Sequence, residues 1–328
     1  MKPLLAITLG DINGVGPEIL AKALANPYLW AWCRPLVIGS ARILNEITAF
    51  APSCPPAKAI HDLEEIGDGF CPVLETDDPV PQRQPGVLSA EAGRCAVEWT
   101  KVAVRLAMEG RVAGLVTCPL NKEGIHRAGY HYAGHTELIA EMTASPDYRM
   151  CLFAGGMRVV HITSHMSMAD AIAAVEPERI AKSIRIGHDA LVRLGLKRRA
   201  IAVAALNPHA GEARAFGDED QDKILPAIDT CRAEGIDCSG PHPADTLFRR
   251  MHEGEFDLVV AMYHDQGHIP VKLIAMDEGV NVTLGIPIIR TSVDHGTAYD
   301  IAGTGQAREL SLLAAIELAA QFATGASS

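Results

Sequence analysis

Several marks of protein class are missing from this chain. Its eight cysteines, at positions 33, 54, 71, 95, 118, 151, 231 and 238, form no Cys-x-x-Cys pair. In a chain of 328 residues that scatter argues against a zinc–cysteine site or a disulfide framework and predicts reduced, mostly buried thiols. No apolar run approaches the roughly 18 residues that a membrane helix needs. The apolar stretch from Pro3 to Leu9 is ended by Asp11, with no small-residue cleavage site after it. A soluble, cytoplasmic protein without a membrane partner is expected. Basic residues are in short supply too: 29 Lys and Arg against 40 Asp and Glu give a net charge of −11. Such a chain gains little from counterion release on a phosphate backbone, so no nucleic-acid partner is expected. Internal repeats and low-complexity segments are also absent.

What is present reads as a folded α/β protein. Hydrophobic residues make up 48% and charged residues 21%, close to an average globular domain. The length suggests two domains at roughly 150 residues each. Short apolar runs predict strands at 4–9, 35–39, 112–117, 150–154, 158–163, 200–206, 257–262 and 280–284. Helical patterns occupy 89–109, 177–195, 219–235 and 310–324, and Pro17 is placed to open another. Strands with little polar alternation, separated by helices, predict a largely parallel, doubly wound sheet covered on both faces. The region 52–88, rich in proline and acidic residues, reads as a surface excursion.

In a doubly wound sheet, ligands bind outside the carboxyl ends of the strands. Three of these ends carry a histidine: His165, His209 in NPHAGE, and His264 in MYHDQGH. One histidine in a loop is ordinarily just a hydrogen-bonded loop residue. Three at equivalent positions suit a divalent ion with open positions, which would polarise a substrate hydroxyl or carbonyl. Lys272, Asn281 and Arg290, with strand-like segments between them, suit a phosphate or carboxylate, unless they are a solvated surface group. The run DHGTAYDIAGTGQA, 294–307, either lets backbone approach a ligand at its glycines or is a turn before the last helix. Behind the first strand, Gly10, Gly14 and Gly16 do not have the G-x-G-x-x-G spacing, so a dinucleotide would bind in some other mode.

These motifs carry a resemblance. NPHAGE, MYHDQGHIPVK and VNVTLGIPIIRTSVDHGTAYDIAGTG, with GDINGVGPE, CPLNK and GHTE in the first half, resemble the 4-hydroxythreonine-4-phosphate dehydrogenase family of vitamin B6 synthesis. GxGPE and HGTAYDIAG are also similar to the wider isocitrate and isopropylmalate dehydrogenase superfamily.

The resemblance implies a two-domain α/β dimer of the isopropylmalate dehydrogenase type, with its active site in the cleft between domains. Residues 1–128 and 262–328 would form the first domain, and residues 129–261 the second, carrying dimer contacts. The family's metal ligands map onto His165, His209 and His264, one of them contributed by the second protomer of a homodimer. Zinc, magnesium, cobalt or manganese would serve. Substrate-binding positions map onto His135, Thr136, Lys272, Asn281 and Arg290. The NAD or NADP loop maps onto His295, Gly296, Thr297, Ala298, Asp300, Ile301, Ala302 and Gly303. Asp245 matches an acidic position near the metal, and Lys272 and Asp265 are the candidate general bases. The implied reaction oxidises 4-(phosphooxy)-L-threonine to 2-amino-3-oxo-4-(phosphooxy)butanoate, which loses carbon dioxide to give 3-amino-2-oxopropyl phosphate. Two departures, Ile12-Asn13 in the first loop and the MRVVHITSHMSMAD segment, point to paralogues as alternatives. These are dehydrogenases of D-threonate or D-erythronate 4-phosphate, or of an aromatic cis-dihydrodiol.

Overall fold

The structure, a computed structural model, describes residues 2–325. They form two compact units, one of residues 2–147 and 286–324, the other of residues 148–285 and Gly325. The expected partition changed over at 128/129 and 261/262; the units change over at 147/148 and 285/286. Packing explains the shift. Ile125 and Leu138 share a core cluster with Val97, which keeps residues up to 147 in the first unit. The strand Val280–Leu284 pairs with Arg149–Ala154, which keeps it in the second.

The first unit contains β1 (Leu4–Thr8), β2 (Arg34–Ile38), β3 (Ala57–Ile60), β4 (Cys71–Leu74), β5 (Gly114–Thr117) and, late in the chain, β12 (Arg290–Val293). Their order is β3-β4-β2-β1-β5-β12 and every pair is parallel. Leu5, Ala6 and Ile7 of β1 are completely buried, as a strand covered on both faces requires. The helix Ala90–Met108 is capped by Ser89, whose Oγ accepts from the Ala92 amide, and Gly110 beyond its end takes the left-handed φ of +70°. The reading of 52–88 as a surface excursion is corrected: it supplies β3 and β4. Pro55 and Pro56 precede β3, Pro72 lies inside β4, and Lys58 and Ala59 of the edge strand β3 are exposed, so neither pattern stands out.

The second unit contains β6 (Arg149–Ala154), β7 (Met157–His161), β8 (Ile201–Ala204), β9 (Cys238–His242), β10 (Leu258–Ala261) and β11 (Val280–Leu284), in the order β11-β6-β7-β10-β8-β9. Strands β7, β10, β8 and β9 run parallel. β6 is antiparallel to both neighbours; Gly155 and Gly156, both at positive φ, turn it straight into β7. Val159, Val259, Ala202 and Ala204 pack with Leu247, Phe248 and Met251 into one core cluster. All eight cysteines are free and buried. Among the described residues no helix is long and apolar enough to cross a membrane.

Candidate active site

In the first unit, the loop after β1 and the loop after β12 fold onto each other. The Val15 amide donates to the Thr297 carbonyl (3.0 Å), and the Tyr299 hydroxyl donates to Asp11 Oδ2 (2.6 Å). A side chain at Gly14 would lie 2.9 Å from Thr297, so glycine permits this approach. Asn13, one of the departures from the family pattern, is buried and ties in a third segment. Its Nδ2 donates to the Val87 carbonyl (2.8 Å) and its Oδ1 accepts from the Gln84 amide (2.7 Å). Burial pushes the Asp11 carboxyl above the ordinary carboxylate range, against the bonds from Tyr299 and Asn13. Of the expected cofactor residues, Thr297 and Ala302 are buried, while His295, Gly296 and Asp300 are exposed on the loop.

Beside these loops, Arg290 opens β12 and is 3% exposed. Its Nη2 donates to Thr117 Oγ1 at the end of β5 (2.9 Å), and its Nη1 lies 3.4 Å from Thr136 Oγ1. Burial pushes the guanidinium down to about 10, with Glu137 opposing the shift, so it stays charged at neutral pH. His135 is the first residue of the helix His135–Met142, whose N-cap, Gly134, offers no side-chain cap. Burial and the Arg290 cation hold His135 well below the usual histidine range, and its buried Nε2 has no hydrogen-bond partner. A buried cation, a neutral imidazole with an unused nitrogen and an open helix start suit an anionic group.

In the second unit, β7, β10 and β8 are adjacent and parallel, so the three histidines that follow them share one sheet edge. The His165 and His264 ring centroids are 5.7 Å apart. His264 Nδ1 donates to Asp265 Oδ1 (2.7 Å), and His209 Nδ1 donates to Glu212 Oε2 (2.9 Å). Each carboxylate holds the proton on Nδ1 and leaves the Nε2 lone pair available, as a metal-binding histidine requires. His209 begins a run of left-handed residues, 209–214, of which only Gly211 is glycine. Asp220 braces this turn by accepting from the Leu206 and Asn207 amides (2.9 and 3.2 Å). Gln266 ties the ends of β8 and β10 together: Nε2 donates to the Ala205 carbonyl and Oε1 accepts from the Met262 amide, both 2.7 Å.

Other expected positions are less concentrated. Among the described residues, no three His, Cys, Asp or Glu side chains gather into a set able to hold a metal. Asp245 is exposed on the helix Ala244–His252. Lys272 lies on the helix His264–Ala275. Asn281 stands on β11 with its Oδ1 buried and without a hydrogen-bond partner. Sequence reasoning missed the Asp11–Tyr299 contact and the buried histidines His161 and His268, which lie against His264. The one available signal was the four-residue spacing in HDQGH, which puts His268 a turn above His264 on one helix face.

Comparison with known proteins places this geometry. Residues 31–319 match the family model described as pyridoxal phosphate biosynthetic protein PdxA. The chain is 46% identical over 326 residues to the D-threonate 4-phosphate dehydrogenase of Cupriavidus necator, covering 98% of each. It is 42% identical over 334 residues to the 4-hydroxythreonine-4-phosphate dehydrogenase of Trichlorobacter lovleyi, again covering 98% of each. The crystal structure of 4-hydroxythreonine-4-phosphate dehydrogenase from Klebsiella pneumoniae superposes with a TM-score of 0.88 at 43% identity, covering 98% of this chain and 100% of that one. The chain belongs to the PdxA family and is an oxidoreductase of the dehydrogenase type.

Proposed function

We propose that this enzyme oxidises a four-carbon phosphorylated hydroxy acid with NAD or NADP and a divalent metal. D-threonate 4-phosphate is the preferred substrate, with 4-(phosphooxy)-L-threonine the second reading. This reverses the order that the sequence motifs suggest. The reason is the similarity itself: the relative at 46% identity is named for the threonate, the relative at 42% for the amino acid. The single observation that carries the metal-dependent reading is the pair of histidine–carboxylate contacts, His264–Asp265 and His209–Glu212, at neighbouring strand ends.

Arg290, with Thr136 and His135 beside it, takes an anionic group of the substrate, and Lys272 and Asn281 supply further polar contacts. His165, His209 and His264 hold the metal, one of them coming from a second copy of the chain. Bound there, the ion would supply polarisation of the hydroxyl to be oxidised, and the nicotinamide would supply the hydride acceptor. Asp265 is engaged in orienting His264, which leaves Lys272 as the candidate proton acceptor of the two. Oxidation at C3 leaves a ketone β to the carboxylate, which is set to leave as carbon dioxide. The loop 295–303 would hold the dinucleotide through its backbone, with the exposed Asp300 available to accept from a ribose hydroxyl. A dimer is supported by Ile269 and Leu273, four apart on the helix that His264 opens, and by Met276 just beyond it. All three are exposed, Leu273 by 85%, a patch that calls for cover.

The test is NADH or NADPH formation at 340 nm with each substrate, with and without EDTA. Faster turnover of D-threonate 4-phosphate, lost on chelation, is expected. Faster turnover of the amino acid reverses the substrate order, and chelation without effect removes the metal from the reading.

A further inference from the structure

His264 does not stand alone on its helix. Its ring lies 3.7 Å, centroid to centroid, from the ring of His268, at an interplanar angle of 11°. Two imidazoles this close and this nearly parallel are in van der Waals contact, so the His264 ring cannot swing through that plane unless His268 retreats. His268 has nowhere to go. It is buried, and its Nδ1 is 3.1 Å from Nε2 of His161, itself buried at the end of β7. His161 Nδ1 faces the Met150 carbonyl at 3.4 Å. A carbonyl only accepts, so His161 carries its proton on Nδ1 and its Nε2 accepts from Nδ1–H of His268. The same His268 N–H also faces the His264 carbonyl at 3.2 Å, so both acceptors around it fix the proton on Nδ1.

The neighbouring glycine sets the depth of this arrangement. A Cβ at Gly267 would collide with His161 Nε2 and lie 2.7 Å from Val159 Cγ1 and 3.2 Å from Ala261 Cβ. Only glycine lets the helix sit low enough on β7 and β10 for His268 to reach His161. Gly267 and His268 of HDQGH, with His161 beneath them, therefore form one support under the His264 ring.

We propose that His268, braced by His161, is a positioning residue that fixes the His264 ring so that Nδ1 stays on Asp265 and Nε2 stays presented. The inference rests on the metal reading above for its consequence, but the ring orientation can be read without metal. A preset ligand ring avoids the entropy of ordering it on binding, and outer-shell partners of this kind are worth roughly 10–100-fold in metal affinity.

The experiment compares full-length wild type with His268→Ala, His268→Phe and, as a control, His264→Ala. Cobalt affinity is measured by competition with a chelator, and imidazole tautomers in metal-free protein by long-range 1H–15N NMR. His268→Ala should weaken cobalt binding by roughly 10–100-fold and turn a fixed Nδ1–H signal of His264 into one averaged between tautomers. His268→Phe, which restores a flat ring, should recover most of both. Should the alanine variant fail to fold, His268→Leu keeps bulk without the flat ring and takes the same readouts. Wild-type affinity and a wild-type His264 signal in the folded variant overturn the proposal. If His264→Ala itself leaves cobalt affinity unchanged, the metal reading fails, and the NMR signal alone decides whether His268 holds the ring.

Discussion

The Nδ1 proton of His264 is held by Asp265, whose Oδ1 lies 2.7 Å away. The contact joins a half-exposed ring to an exposed carboxylate, so as an ion pair it would contribute little to stability. Its effect is on the ring: it fixes the tautomer and raises the basicity of Nε2. Asp265→Asn should therefore leave the melting temperature within a degree or two of wild type and lower divalent-metal affinity roughly 10-fold or more. Glu212→Gln should do the same through His209. Chelator competition followed by elemental analysis reads the effect. Unchanged affinity in both variants would mean that these histidines are not ligands.

His135 supplies a pH prediction. Its folded-state pKa lies well below 6.5 because of burial and the Arg290 cation, whereas the unfolded chain titrates near the ordinary value. Below about pH 6.5 the unfolded state therefore binds more protons. The contribution of neutral His135 is intact above that pH and lost as pH falls, at up to about 1.4 kcal/mol per pH unit. Thermal unfolding at pH 7.5 and 5.5 should show a smaller drop for His135→Gln than for wild type. Equal drops would mean that His135 charges freely in the folded protein.

The parts legible in the sequence are those fixed by local composition. β1, β5, β8 and β10 are short, largely buried apolar runs, and the ends of β7, β8 and β10 locate His165, His209 and His264 because ligand groups in such sheets follow the strands. β3 and β4 lay hidden among prolines. The helix His264–Ala275 has Pro270 inside it and exposed Ile269 and Leu273 on its surface, so its apolar period does not mark a core face. Contacts across the chain were not legible. His161 and His268 are 107 residues apart and Asp11 and Tyr299 are 288 apart, and no spacing rule joins residues that meet only when strands pair. Asn13 is the same kind of case: as a departure from a pattern it looked like a change of substrate, but in the fold it ties the loop to residues 84–87.

Gly14 allows a test of the proposed cofactor loop. A methyl group there would sit 2.9 Å from both Cβ and the carbonyl oxygen of Thr297, closer than packed atoms tolerate, and the backbone cannot give way as a flexible side chain would. Gly14→Ala should push the 295–303 loop outward. The expected result is a KM for NAD raised roughly 10-fold or more, for a loss of about 1.4 kcal/mol, while the KM for the phosphorylated acid changes less than 3-fold. Equal rises in both would place the damage in the fold as a whole.

Arg290 tests the proposed substrate site. Thr117 and Thr136 hold its fork from two sides, and its planar guanidinium can meet an anion with two parallel bonds where an ammonium offers a point charge. Arg290→Lys keeps the charge in the buried site but loses the fork and one of the threonine contacts. A charge-assisted hydrogen bond is worth about 1.5–3 kcal/mol, so kcat/KM for the phosphorylated acid should fall by roughly 10–150-fold, with NAD affinity close to wild type. Inorganic phosphate separates the two ends of the substrate. If Arg290 holds the phosphate, phosphate inhibits wild type and loses that effect in Arg290→Lys; if Arg290 holds the carboxylate, inhibition by phosphate survives the substitution while inhibition by a non-phosphorylated hydroxy acid is lost. A lysine variant with wild-type kcat/KM would remove Arg290 from the substrate site and leave it as a buried structural cation between β5 and the helix His135–Met142.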